Sequence, residues 1–140
     1  MREILYKAKR ITDGEWVYGS YVYTFCEDKN CPVVGVKVEK HWIVEESGNM
    51  VWVDEDTICQ CTGLKDKNGK LIWENDIVGF WDTYSTENGQ AEMDCIGKVV
   101  WDDETISFQV TNRLSAESYE VLDECIVIGN IFDNPELMHE

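Results

Sequence analysis

Apolar residues in this chain recur at every second position over short runs, and Gly, Asn, Asp and Ser separate the runs. That is the pattern of half-buried strands joined by tight turns rather than of amphipathic helices. Residues 2–10 place Ile4, Tyr6 and Ala8 on one side of an extended segment. Residues 16–25 are dense in aromatic and β-branched side chains, which pack well on a pleated surface, and should pair back on the first strand. Residues 33–38, 41–44 and 50–53 follow as short strands, with a break at Glu39-Lys40 and a turn at Ser47-Gly48-Asn49. In the second half, residues 71–73, 77–84, 95–101, 105–110 and 125–132 read as strands, and residues 85–90 as a polar loop. Residues 113–124 fit a helical turn or an irregular crossover, and Asn134-Pro135 reads as an N-cap followed by Pro at the first helical position.

Residues 62–78 organise the rest. Asn68-Gly69 predicts a type I′ turn, with positive φ at both residues, closing a hairpin. Glu74-Asn75-Asp76 predicts a second reversal, with Asn75 in the left-handed region and the Asp76 carboxylate accepting backbone N–H bonds. The expected architecture is mainly β: small antiparallel sheets, little helix, and strands closed or nearly closed into a barrel. A soft boundary near Gly63 gives an N-terminal β lobe, residues 1–62, and a barrel lobe, residues 63–140, within one cooperative unit.

Composition adds charge to this picture. The chain carries 12 basic and 28 acidic residues, a net charge of -16 over 140 residues. Up to Lys70 the balance is 10 - 12 = -2, and from Leu71 onward it is 2 - 16 = -14. Such a body repels nucleic acid and anionic membrane and attracts basic protein surfaces. The N-terminal residues are interrupted by charges and no run approaches the roughly 20 apolar residues of a spanning helix, so a cytoplasmic location is expected.

Candidate chemistry is sparse. Six cysteines (Cys26, Cys31, Cys59, Cys61, Cys95 and Cys125) lack the Cys-x-x-Cys knuckles of a zinc site, so reduced and mostly buried thiols are expected, with a Cys26–Cys31 bridge as the alternative. The acidic runs Asp54-Glu55-Asp56 and Asp102-Asp103-Glu104 fall at turns and read as solvated charge. Nucleophile-elbow, P-loop and dinucleotide motifs are missing, and His41 and His139 are the only histidines. No catalytic, cofactor-binding or metal-binding residue is therefore assigned, and no cofactor.

Three blocks carry a resemblance: residues 60–70 (QCTGLKDKNGK), 74–78 (ENDIV) and 127–137 (VIGNIFDNPEL). Together with the opening residues 2–9 and 14–19 they resemble the YopX-like family of phage and prophage proteins. Two positions depart from that family: Cys61 stands where an aromatic residue is usual, and Asn75 where Gly is usual. The resemblance implies a mostly β protein of phage or prophage origin, with an SH3-like barrel in its second half, and brings no catalytic or ligand residues. The residues singled out are those of the turn motif, Gly63, Asn68, Gly69, Asn75, Asp76, Gly129, Asn130 and Pro135, in an architectural role. The function expected is a non-enzymatic accessory protein that binds another protein or itself, with neither nucleic acid nor membrane as a direct partner. The alternative is an acidic mimic of nucleic acid that blocks a host DNA-binding protein.

Overall fold

The computed structural model describes residues 5–27, 37–114, 118–120 and 124–139. It is almost entirely antiparallel β. Two compact units divide the chain, Met1–Gln60 and Cys61–Glu140.

The first unit is built on β1 (Tyr6–Lys9), β2 (Trp16–Glu27), β3 (Lys37–Val44) and β4 (Met50–Trp52), hydrogen-bonded in the order β4-β3-β2-β1. The first two residues of β5 (Cys59–Lys65) pair with β1. Strand β2 serves two neighbours: residues 16–19 pair with β1, and residues 20–27 with β3. Strand alternation sends Ala8, Val17, Ile43 and Val53 into one core with Tyr6, Tyr21 and Val51 against it. Lys9 and Trp16 lie directly opposite each other, and the Lys9 ammonium sits 5.3 Å from the Trp16 ring. The predicted break at Glu39-Lys40 is not a break, because both residues continue the β3 pairing with Phe25 and Thr24. Residues 33–36 lie outside the described set.

In the second unit, β6 (Leu71–Trp73) pairs with the remainder of β5. A five-stranded sheet follows, ordered β10-β9-β8-β7-β11: β7 (Asp76–Thr86), β8 (Gly89–Asp102), β9 (Ser107–Asn112), β10 (Ser118–Glu120) and β11 (Ile126–Asn130). Its core is Ile72, Val78, Val99, Val110 and Cys125, with Phe80, Phe108 and Val127 packed against it. The sheet curls, so that Phe80 on β7 meets Tyr119 on β10 with ring centroids 5.2 Å apart. Gly97 permits the curl: a Cβ there would overlap the Thr111 carbonyl and lie 2.6 Å from Val110 Cγ1.

Small antiparallel sheets and scarce helix are what the sequence implies, but the sheet does not close into a barrel. Strands β10 and β11 remain its two edges among the described residues. Three further readings are corrected. Residues 118–120, placed in a helical turn or crossover, form β10 on the edge of β9. The loop expected at 85–90 is a hairpin tip, with β8 beginning at Gly89 and its polar residues facing solvent on a two-stranded extension of β7. At residues 68–69, only Gly69 has positive φ (82°), so the turn is not type I′. Gly69 N–H bonds to the Asp66 carbonyl (3.0 Å) and Asp66 N–H to the Lys70 carbonyl (2.8 Å). This is a type I turn followed by a left-handed residue, imposed by the Asp66 side chain, which fixes the amides of Asn68 and Lys70 from within.

Candidate functional site

The three sequence blocks meet around β11. The Asp66 carboxylate, 5% exposed, accepts N–H bonds from Asn68 (2.9 Å) and Lys70 (2.8 Å) at Oδ1 and from Val127 (3.0 Å) at Oδ2. Lys67 N–H bonds to the Cys125 carbonyl at 2.9 Å. The first block is thus tied to the entry of β11, sixty residues downstream. Burial pushes the Asp66 pKa up, but the amides of Val127, Lys70 and Asn68 and the Lys70 charge outweigh it and hold the group below the ordinary carboxylate value.

The second block engages the same strand further along. Asn75 takes φ 70°, its N–H bonds to the Val99 carbonyl (2.8 Å), and its own carbonyl receives Ile131 N–H (3.1 Å). Asp76, 3% exposed, accepts Trp73 N–H at 2.9 Å and pairs across the ladder with Asn130. Asn130 Oδ1 then accepts N–H bonds from Phe132 and Asp133 (3.0 and 2.9 Å). Gly129 lies so close to Asn134 that a Cβ would approach its Cγ to 2.8 Å, and Gly63 sits at φ 81° where the β5–β6 register shifts. Pro135 opens a short 3-10 turn, Pro135–Met138. Asn134 stands at its N-cap position without capping it, because its side chain accepts Asn130 N–H at 3.3 Å instead. Cys61 lies directly opposite Trp73, 6% exposed, whose indole supplies bulk next to the small thiol.

A cavity opens beside this junction, where the curled sheet fails to close. Its inner part, about 70 Å³, is lined by Phe80, Trp81, Val110, Tyr119, Glu120, Glu124 and Cys125. A shallower groove of about 650 Å³ shares Trp81 and Glu124 and adds Asp66, Lys67 and Glu92. Trp81 is 45% exposed, and the Lys67 ammonium lies 5.5 Å from its ring centre. Sequence reading missed this site because the lining of its inner part comes from three separated stretches, residues 80–81, 110 and 119–125, that no motif joins.

The remaining candidates are committed elsewhere. In the first unit, Tyr21 Oη lies 2.5 Å from His41 Nδ1, and His41 Nε2 lies 2.8 Å from Glu55 Oε2. Burial first, then the Glu55 charge and Tyr6, push the Tyr21 pKa up, and its hydroxyl shares a hydrogen bond with Nδ1. His41 thereby links β2, β3 and the 3-10 turn Glu55–Thr57. His139 is held by its backbone, since its carbonyl and that of Leu137 both accept Arg113 Nη1 (3.1 and 2.8 Å). Cys59, Cys61, Cys95 and Cys125 are buried thiols that form no disulfide, whereas the Cys26–Cys31 pairing lies outside the described residues. Among the described residues no group of three His, Cys, Asp or Glu is arranged to hold a metal ion, and no helix is long and apolar enough to cross a membrane.

Residues 5–139 match the family described as YopX protein. The chain belongs to the YopX family. Among solved structures it is similar to protein EF1440 from Enterococcus faecalis, at 22% identity and a TM-score of 0.51, over 99% of this chain and 100% of that one. At this identity the likeness establishes a shared fold. No curated protein matches the chain. For this YopX member, the junction at β11 explains why residues so far apart in sequence form one motif.

Proposed function

We propose that this YopX-family chain is a non-enzymatic, protein-binding accessory module of phage or prophage origin, acting in the cytoplasm of a bacterial host. The observation that carries the reading is the cavity at the unclosed edge of the second unit, bordered by the half-exposed Trp81 and the partly buried Phe80 and Tyr119. A concave site with large apolar faces and few polar groups suits recognition of a partner side chain. The groups that catalysis would draw on are used by the fold: Asp66 and Asp76 accept backbone amides, and His41 is bonded on both ring nitrogens. This supports binding over turnover.

The test pairs sedimentation velocity of the full chain up to about 100 μM with affinity capture from a bacterial host, each repeated with Trp81→Ala. Self-association, or a specific partner, lost in the variant supports the reading. If neither appears for the unsubstituted chain, the reading fails. The mimic of nucleic acid remains the second reading, favoured by the charge of residues 61–140, 5 - 17 = -12.

A further inference from the structure

We propose that the cavity at the open edge of the second unit receives a cationic side chain, an arginine or lysine, from a basic segment of a partner protein. The inference rests on the binding-module reading and names the chemistry of the partner.

Size sets the first limit. About 70 Å³ holds one side-chain head group, while the adjoining groove of about 650 Å³ leaves room for the flanking peptide. The lining chooses the charge. Phe80, Trp81 and Tyr119 offer aromatic rings, whose negative faces attract cations, and Glu120 and Glu124 add carboxylates. Glu92 continues the acidic lining outward along the groove. Asp66 also borders the groove, but its oxygens already accept three backbone N–H bonds, so the glutamates are left to meet a ligand cation.

The molecule gives its own precedent, for the Lys67 ammonium already lies over Trp81 at 5.5 Å. The long-range field agrees with the local chemistry. Residues 61–140 carry 5 basic and 17 acidic groups, a balance of -12, within a chain of -16. An acidic or phosphate-bearing ligand would approach against that field, whereas a basic segment is drawn in by it.

The experiment uses the full chain and a labelled twelve-residue peptide of alternating Arg and Gly, followed by fluorescence anisotropy at low and at physiological salt. Free arginine amide and a Glu-Gly peptide of the same length serve as comparison ligands. Trp81→Ala, Tyr119→Ala and Glu124→Gln are measured beside Glu104→Gln, which makes the same charge change at the β8–β9 turn. Thermal melts confirm that each variant is folded. The expected result is binding of the Arg-Gly peptide that weakens roughly fivefold to tenfold in the three cavity variants and less than about twofold in Glu104→Gln. Equal weakening by Glu104→Gln and Glu124→Gln would mean diffuse attraction with no site, and would overturn the proposal. Free arginine amide binding as tightly as the peptide would overturn the assignment to a protein segment. Absence of peptide binding, with partner capture still lost in Trp81→Ala, would overturn the cationic ligand and leave the binding module standing.

Discussion

Replacing Asp66 with Asn isolates the bond that ties the central block to β11. The carboxylate accepts three backbone amides, and each charge-assisted bond contributes about 1.5–3 kcal/mol. Asparagine keeps one acceptor oxygen, which can still serve Asn68 and Lys70, but turns an amide N–H₂ toward the N–H of Val127. One buried donor then faces another, and the charge is gone, so we expect a loss of about 3 kcal/mol at pH 7. Against a typical stability of about 5–15 kcal/mol, that lowers the melting temperature by roughly 10 °C. The pH dependence supplies a second check. Because the folded-state pKa is depressed, the contribution is fully present above the unfolded value near 4 and is lost as pH falls through the lower, folded value. Urea unfolding of both proteins from pH 7 down to about pH 2.5 should show the gap narrowing in the acid range. A gap under about 1 kcal/mol at pH 7, or one that persists undiminished in acid, would refute the reasoning.

Gly69→Val should destabilise by roughly 1–3 kcal/mol, measured by thermal melting, because φ is 82° there while nothing lies within 4 Å of a Cβ, so the cost is backbone strain alone. Gly97→Ala should be harsher than its one added methyl suggests, since the new Cβ would overlap the Thr111 carbonyl; circular-dichroism melts would show it. Arg113→Met keeps the apolar stem but removes the donors to Leu137 and His139, so limited proteolysis should cut the C-terminal residues faster while the rest of the chain is unchanged.

Much of the fold was legible because strand alternation and turn residues are local signals. Residues 71–73, 77–84 and 95–101 could be read from their apolar spacing, and Asn75 from its tolerance of positive φ. What escaped were features set by distant partners. The type I′ expectation at Asn68-Gly69 failed because the pair was weighed alone, whereas the Asp66 side chain dictates the turn. Residues 89–94, whose only apolar side chains are Ala91 and Met93, gave no strand signal, since a two-stranded extension needs no buried face. Barrel closure depended on whether β10 reaches β11, which no local pattern encodes. The cavity was invisible for the same reason: Phe80, Tyr119 and Glu124 become neighbours only through the curl of the sheet.

The central claim is that the three family-like blocks of this chain act as one structural junction on β11, and the exchange rate of the Val127 amide tests it most directly. Val127 sits on an edge strand whose only described strand partner is β7, where an amide directed away from the sheet would ordinarily exchange within the fast class. Here that amide donates to Asp66 Oδ2. Hydrogen exchange followed by NMR should therefore find Val127 protected to the level of the core strands, and stripped of that protection in Asp66→Asn. Rapid exchange of Val127 in the unsubstituted protein, or protection that survives the substitution, would contradict the account.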